Sequence, residues 1–296
     1  MSIENLRGSI VAIATPFKEN GDLDLETFDS LVEWHMEQGT DAIVVCGTTG
    51  ETPALSEDED AIMIERAVKK VKGRIPVIAG TGSNSTQDSI KYSKRAIGLG
   101  VDALLVVAPY YNKPSNKGIY LHFATLAQAV DAPIILYNVP GRTGSCISPD
   151  IAIRLANEFK NIVAIKEAGG SMSVFAELLA KRPKGMKVYS GDDLLSTSAN
   201  LLGADGCISV VANLVPREFH NLMKASLEGD VAQSRALFYK YKTLMELMFV
   251  ESNPIPVKSA LALMGKLGGT FRLPLCALEE KNQAALRAEM KNLDLI

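Results

Sequence analysis

The chain has 296 residues, with 31 Lys and Arg against 34 Asp and Glu, which leaves a formal net charge of −3 at pH 7. This balance offers no basic surface for nucleic acid or for an anionic membrane. A composition of 47% hydrophobic and 22% charged residues is that of an ordinary globular protein, and it excludes disordered, collagen-like and disulfide-stabilised chains.

The ends of the chain and its cysteines bear on the compartment. Residues 1–7 contain no basic segment followed by an apolar stretch, so we expect no signal peptide. The longest apolar run, Ala103–Pro109, is far shorter than the ~20 residues that span a bilayer. The four cysteines lie far apart and form no C-x-x-C pair, which is typical of reduced thiols. We therefore expect a cytoplasmic protein with neither membrane nor nucleic-acid partners.

Short segments rich in Val and Ile alternate along the chain with longer segments of helical periodicity. The short segments are mostly apolar at every position, which is typical of parallel strands covered on both faces. The predicted strands are Ser9–Thr15, Ala42–Val45, Pro76–Gly80, Ala103–Val107, Ile134–Tyr137, Ile162–Lys166, Lys187–Ser190 and Cys207–Val210.

The segments between the strands carry the signals of helix starts. Ser56 and Glu59 have the spacing of a capping box, in which the hydroxyl and the carboxylate each accept from a free backbone amide. Ser148 precedes Pro149, and Pro216 likewise stands at a first helical position. These segments are therefore predicted to be helices that follow the strands.

Eight strand-then-helix units predict the fold. Their regular alternation requires a parallel sheet with right-handed crossovers, and eight units favour a closed barrel over an open sheet. We predict an α/β protein, a (β/α)₈ TIM barrel over residues 1–228 that carries the active site. Residues 229–296 are predicted to form a helical C-terminal extension of about three helices packed on the barrel.

In such barrels the catalytic residues lie at the carboxyl ends of the strands. Lys166 ends the apolar strand Ile162–Lys166, where contact with apolar walls favours the neutral amine that attacks carbonyl groups. Tyr137 ends the neighbouring strand, and its phenol is suited to moving protons to and from such a lysine. Each residue also has a plainer interpretation, as a lysine that extends to water or as a core aromatic.

Three further strand-end segments carry polar groups. The turn Gly47–Gly50 supplies hydroxyls and backbone amides for a small carboxylate, although it is equally an ordinary tight turn. Arg142 is suited to binding a second carboxylate, or is a solvated loop charge. Tyr111, in a polar and aromatic loop, either reaches across a subunit boundary or packs within its loop.

Several kinds of site are not indicated. The sequence has no P-loop, H-E-x-x-H or G-x-S-x-G motif. The three histidines, His35, His122 and His220, lie in predicted helices, so we expect neither a catalytic triad nor a histidine-rich metal site.

Together the strand-end motifs resemble the dihydrodipicolinate synthase family, within the pyruvate-dependent class I aldolase (N-acetylneuraminate lyase) superfamily. The resemblance runs from about Gly8 to the C-terminus. The motifs are Gly47-Thr-Thr-Gly-Glu51, Pro109-Tyr-Tyr-Asn112, Tyr137-Asn-Val-Pro-Gly-Arg-Thr143, Ile165-Lys-Glu167, Gly191-Asp-Asp193 and Asn253-Pro-Ile-Pro-Val-Lys258.

The resemblance implies an activity and an assembly. Members of the family condense pyruvate with L-aspartate 4-semialdehyde on the route to diaminopimelate and lysine, and the implied assembly is a homotetramer, a dimer of dimers. Lys166 resembles the lysine that forms a Schiff base with pyruvate, and Tyr137 resembles the proton-shuttling tyrosine. Thr48 is similar to the hydroxyl that links this tyrosine to Tyr111, which the neighbouring subunit contributes. Because the imine itself accepts the developing charge, the resemblance implies neither a metal nor an organic cofactor.

The resemblance also implies substrate contacts. Thr49 is similar to the residue that binds the pyruvate carboxylate, and Gly191 and the Ile208 backbone are implied to line the substrate site. Arg142 resembles the residue that holds the carboxylate of the semialdehyde.

Two questions stay open at this point. Pro53, Glu57 and Asp60 stand where some lysine-inhibited members of the family carry a small residue and two histidines, which leaves feedback inhibition undecided. The alternative activities are another lyase of the superfamily, acting on a sialic or sugar keto-acid, and a non-catalytic barrel that binds keto-acids. Arg142 favours the synthase, because the sugar-acid lyases tend to lack it.

Overall fold

The computed structural model describes residues 3–296, in which eight parallel strands close into a barrel in chain order. Each strand pairs with the next, and the last pairs with the first. The (β/α)₈ prediction is therefore confirmed. The strands are β1 Gly8–Ala12, β2 Ala42–Val45, β3 Val77–Gly80, β4 Ala103–Val107, β5 Ile134–Asn138, β6 Ile162–Glu167, β7 Lys187–Ser190 and β8 Gly206–Ser209.

Helices follow the strands on the outside of the barrel, and three more follow the last barrel helix. The predicted capping box is present, with Ser56 and Glu59 each accepting from the other's backbone amide. The helices are α1 Leu25–Glu37, α2 Glu57–Val71, α3 Thr86–Gly98, α4 Asn116–Ala129, α5 Pro140–Thr143, α6 Pro149–Glu158, α7 Met172–Lys181, α8 Asp193–Leu201, α9 Pro216–Glu228, α10 Val231–Leu247, α11 Ile255–Leu263 and α12 Glu280–Asn292.

Some strand ends differ from the prediction by one or more residues. The last strand ends at Ser209, and not at Val210, because the Val210 and Val211 amides donate to the buried Asp193 carboxylate. β5 and β6 each run one residue further than predicted, to Asn138 and Glu167, which pair with each other. The extra pair lengthens the sheet at the carboxyl end of the barrel.

Two apolar layers result from the alternation of side chains along each strand. One fills the barrel interior and the other, larger layer lies between strands and helices. Inside the barrel, the Tyr189 hydroxyl donates to the Leu6 carbonyl at 2.9 Å and so fills the amino end. The opposite, carboxyl end of the strands is left to polar side chains.

The helices after α9 connect the far end of the chain to the barrel mouth. α10 packs against α8 and α9, and α12 packs against α10 and α11. The segment that leads into α11 lies against the loops that follow β2 and β5. Among residues 3–296, no helix combines the length and apolar character needed to cross a membrane.

Candidate functional site

Lys166 and Tyr137 lie side by side at the carboxyl end of the barrel. Their strands pair so that Lys166 is directly opposite Tyr137. The Lys166 Nζ atom lies 4.2 Å from the centre of the Tyr137 ring. Both side chains are nearly buried, at 6% and 7% exposed. The lysine is thus an enclosed amine next to a phenol, and not a strand-end charge that extends into water.

Glu167 and Asn138 form the layer behind this pair. The Glu167 carboxylate accepts from the Asn138 side-chain amide at 2.8 Å and from the Gly169 backbone amide at 2.5 Å. Burial raises the pKa of Glu167. The Asn138 Oδ1 atom in turn accepts from the Ile147 amide at 2.8 Å. These bonds fix the ends of β5 and β6, and with them the relative positions of Tyr137 and Lys166.

A second tyrosine, Tyr189, also pairs with Lys166, from the other neighbouring strand. Its hydroxyl is bonded to Leu6 at the amino end of the barrel. Tyr137 instead lines the cavity at the mouth, together with Thr48 and Arg142. Of the two tyrosines that pair with Lys166, only Tyr137 lines the cavity.

The turn after β2 has an unusual backbone. Cys46 and Glu51 bracket it with positive φ values of 54° and 55°. Cys46 is buried and directly follows the end of β2 at Val45. Thr48 is half-buried and lines the cavity, whereas Thr49 is buried and its hydroxyl accepts from the Asn253 side-chain amide at 3.0 Å. The turn therefore presents its two threonines to different surroundings.

Arg142 lies on the one-turn helix α5 and is exposed. Its Nη2 atom donates to the Asn253 carbonyl at 3.2 Å. Tyr111 has a side chain that is 88% exposed, on a backbone with a positive φ of 71°. The chain thus brings Lys166, Tyr137, Thr48 and Arg142 to one mouth and turns Tyr111 outward.

Gly191 lies beside Lys166, and Ile208 lies in the barrel interior. A Cβ atom on Gly191 would be 2.8 Å from the Lys166 Cε atom and 2.7 Å from the Ala168 Cβ atom, closer than Cβ atoms come to their neighbours in folded proteins. A larger residue at this position would therefore have to displace the lysine chain or Ala168. Ile208 is fully buried on β8 and belongs to the barrel interior.

A cavity of about 460 Å³ extends from this mouth outward between α2 and α3. Lys166 does not itself line this cavity, but Tyr137, which contacts the lysine, does. The three residues at which the sequence departs from the lysine-inhibited pattern all line its outer part: Pro53, Glu57 and Asp60. The Glu57 carboxylate is already paired with Lys91 at 2.7 Å. Burial raises the pKa of Asp60 to about 6.

Some residues of the site had no functional prediction. Asn253 bridges Thr49 and Arg142, and the fully buried Lys258 forms an ion pair with the equally buried Glu51. The sequence carries one signal for this pair, a lysine inside the segment Ile255–Leu263, whose only other polar residue is Ser259. Asn253 begins one of the motifs of the resemblance but had no predicted role, because its partners are distant in sequence.

Metal ligands are not grouped in the part of the chain that the structure describes. No set of three or more His, Cys, Asp or Glu side chains in residues 3–296 is arranged to hold a metal ion. The two most buried histidines have other roles. His35 contacts the Thr40 hydroxyl at 3.0 Å and His122 the Thr86 hydroxyl at 2.9 Å, and burial lowers the pKa of His35 to about 3 and of His122 to about 4.

Comparison with known proteins covers almost the whole chain. Residues 5–293 match the model of the dihydrodipicolinate synthetase family. The 4-hydroxy-tetrahydrodipicolinate synthase of Chlorobium phaeobacteroides is 46% identical over 296 residues, which is 100% of both chains. The crystal structure of the chloride-inhibited dihydrodipicolinate synthase from Acinetobacter baumannii, complexed with pyruvate, has a TM-score of 0.96 and 46% identity over 98% of this chain and 99% of that one. A monomeric dihydrodipicolinate synthase variant has the same TM-score at 41% identity, over 98% of each chain.

Proposed function

The chain belongs to the dihydrodipicolinate synthetase family, and we propose that it condenses pyruvate with L-aspartate 4-semialdehyde through an imine on Lys166. The reaction belongs to the biosynthesis of diaminopimelate and lysine. The observation that carries the proposal is the enclosed Lys166 amine, 4.2 Å from the Tyr137 ring at the barrel mouth. A buried amine beside a phenol is the pair that imine chemistry requires.

The chemistry begins when the neutral Lys166 amine attacks the ketone carbon of pyruvate. The resulting carbinolamine loses water and becomes a protonated imine, which draws electrons from the adjacent methyl group. Loss of a methyl proton to a base gives an enamine, whose carbon attacks the aldehyde of the second substrate. The amino group of that substrate then displaces Lys166 as the ring closes, and the enzyme is regenerated.

Each of the other mouth residues has a part in this sequence. Tyr137 supplies and removes protons at the carbinolamine, and Thr48 connects it to Tyr111 of a neighbouring subunit. Thr49 binds the carboxylate of pyruvate, while Gly191 and the Ile208 backbone complete the wall around the imine. Arg142 binds the carboxylate of the semialdehyde, for which the planar guanidinium is suited.

Borohydride reduction tests the imine. Reduction in the presence of pyruvate is expected to fix a pyruvate-derived group on Lys166, which mass spectrometry of its peptide detects. Lys258 is the internal control, because this buried lysine is held by Glu51 and should remain unmodified. An unmodified Lys166 peptide would overturn the mechanism.

The second substrate is tested separately. Turnover assays with pyruvate compare L-aspartate 4-semialdehyde with N-acetylmannosamine as acceptor. We expect turnover with L-aspartate 4-semialdehyde as acceptor and none with N-acetylmannosamine. Arg142 provides a partner for the carboxylate of the semialdehyde, whereas N-acetylmannosamine has no carboxylate. Turnover with N-acetylmannosamine alone would assign the chain to the sugar-acid lyases.

The assembly we propose is a homotetramer, a dimer of dimers in which Tyr111 enters the neighbouring site. The outward Tyr111 side chain, 88% exposed, supports this arrangement. The test mixes the inactive variants Tyr111→Phe and Lys166→Ala under conditions that exchange subunits. If the tyrosine acts across the boundary, mixed pairs regain one complete site and activity returns. A mixture that stays inactive would show that Tyr111 acts only within its own chain.

We also propose that the enzyme works in the cytoplasm. All four cysteines are free, and two of them, Cys46 and Cys207, are buried. Burial raises the pKa of both buried thiols, which keeps them unreactive. Thiols in this state suit a reducing compartment. Separation of the cell into fractions, followed by immunodetection, tests the location.

A further inference from the structure

Asn253 occupies the point where the C-terminal helices meet the barrel mouth. It lies between α10 and α11 and is 5% exposed. Its side-chain amide donates to the Thr49 hydroxyl at 3.0 Å, and its backbone carbonyl accepts from Arg142 at 3.2 Å. Asn253 thus contacts both Thr49 and Arg142, which in the proposed function bind the carboxylates of the two substrates.

We propose that Asn253 is a positioning residue for the condensation. Its side chain orients the Thr49 hydroxyl toward pyruvate, and its carbonyl holds one end of the Arg142 guanidinium toward the semialdehyde. The inference rests on the proposed function, since it takes from there the roles of Thr49 and Arg142.

The bond to Thr49 determines where the threonine proton points. A hydroxyl has one proton to donate and accepts at its oxygen. Because the Asn253 amide donates to that oxygen, the Thr49 proton must be donated elsewhere. A carboxylate in the mouth is a suitable acceptor, and a hydrogen bond to a charged group is stronger than one between neutral groups. Asn253 therefore prepares Thr49 as a donor before the substrate arrives.

The bond to Arg142 limits the freedom of an otherwise exposed side chain. The guanidinium has five N–H groups in one plane. The Asn253 carbonyl accepts from Nη2, which fixes the plane and leaves other donors for a carboxylate. This contact involves only the backbone of Asn253, so side-chain variants at residue 253 keep it.

A buried ion pair holds the Asn253 segment in place. Lys258 lies on α11 and pairs with Glu51, which follows Thr49 by two residues. Both charged side chains are fully buried, and the Lys258 nitrogen lies 4.3 Å from the centre of the Phe17 ring. The threonine turn and the segment before α11 are therefore joined at two neighbouring points, which keeps Asn253 opposite Thr49.

The test uses Asn253→Ala, which removes the amide donor and keeps the carbonyl. The loss of one hydrogen bond predicts a KM for pyruvate that is roughly three to ten times higher. The KM for the semialdehyde should change less than about twofold, because the contact to Arg142 remains. Asn253→Asp should raise the KM for pyruvate at least as much, because its carboxylate accepts the Thr49 proton.

Asn200→Ala is the matched control. Asn200 is also 5% exposed, and its side-chain amide donates to the Ser226 hydroxyl at 2.9 Å, in a part of the fold that does not line the mouth. This variant should lose stability in thermal melts without changing either KM. An equal rise in the KM for pyruvate in Asn200→Ala would overturn the proposal, as would an unchanged KM in Asn253→Ala.

A double-mutant cycle with Thr49→Val separates positioning from a general loss of structure. If Asn253 acts through the Thr49 hydroxyl, Asn253→Ala should have no further effect on the KM for pyruvate in the Thr49→Val background. Additive effects would overturn the proposal. A wild-type enzyme that forms no borohydride-stable adduct with pyruvate would instead overturn the proposed function itself.

Discussion

Lys166 and Tyr137 occupy paired positions on adjacent strands, with the lysine nitrogen 4.2 Å from the centre of the tyrosine ring. Tyr137→Phe keeps the ring and its packing and removes only the hydroxyl. Because general acid–base catalysis contributes about 10²–10⁴-fold, we expect kcat to fall by at least about 100-fold. Rapid-quench borohydride trapping should show slower imine formation.

Tyr189→Phe is the control for this prediction. Tyr189 also pairs with Lys166, but its hydroxyl donates to Leu6 at the other end of the barrel. The variant should lose about 1 kcal/mol of unfolding free energy and keep its kcat. Similar losses of kcat in both tyrosine variants would contradict the assignment of Tyr137 as the proton donor.

Gly191→Ala is expected to disturb Lys166 directly. The added methyl group would lie 2.8 Å from the Lys166 Cε atom, so the lysine chain must move. Since a misplacement of about 1 Å costs on the order of 100-fold, imine formation should slow by about that factor. Gly98→Ala is the control, because a Cβ atom there has no neighbour within 4 Å. Unchanged trapping in Gly191→Ala would show that the lysine tolerates the displacement.

Arg142→Ala separates the two substrates. A hydrogen bond to a charged group contributes about 1.5–3 kcal/mol to binding, so its removal should raise the KM for the semialdehyde by about 10–100 times. Trapping of the pyruvate imine should be unaffected. Arg154→Ala removes an arginine that packs on the Tyr120 ring instead, and should leave both substrates unchanged. Loss of pyruvate trapping in Arg142→Ala would place the arginine in the first half-reaction.

The sequence predicted the barrel well because most of its strands are continuously apolar and recur with regular helices between them. The same pattern located Lys166 and Tyr137 at strand ends, and so at the mouth. It did not predict that Tyr189 also pairs with Lys166. The packed barrel shows how the two tyrosines differ, since the Tyr189 hydroxyl donates to Leu6 at the amino end whereas Tyr137 lines the cavity.

The role of Asn253 could not be predicted from the sequence, for a different reason. Its partners Thr49 and Arg142 are 204 and 111 positions away, and no local periodicity encodes such contacts. The end of β8 is similar, because a buried carboxylate, Asp193, takes the amide of Val210 that would otherwise continue the ladder. Long-range hydrogen bonds, and not propensities, determine these details.

The Glu51–Lys258 pair is expected to show strong coupling in stability. Burial outweighs the attraction of Glu51 and lowers the pKa of Lys258. Removing one partner leaves an unpaired buried charge, so Glu51→Gln and Lys258→Met should each cost about 3–5 kcal/mol in urea unfolding. The double variant, which is neutral, should regain most of this loss. Additive losses in the double variant would contradict the coupling.

The half-buried carboxyl group of Asp60 is expected to make the stability of the fold depend on pH. Burial raises its pKa to about 6, whereas an unfolded chain releases this proton near pH 4. Between these values the folded protein binds the proton more tightly, so stability falls as pH rises through this window. Above pH 6 the ionised carboxylate therefore destabilises the fold by up to about 3 kcal/mol.

Asp60→Asn removes this cost, and the gain should depend on pH. In urea unfolding we expect the variant to exceed the wild type by up to about 3 kcal/mol at pH 7 and to match it near pH 4. Glu57→Gln is the control, because the hydrogen bond from Lys91 lowers the pKa of Glu57, and its neutralisation should not raise stability at pH 7. A gain in Asp60→Asn that is equal at both pH values would arise from packing, since the charge of Asp60 is absent at the lower pH.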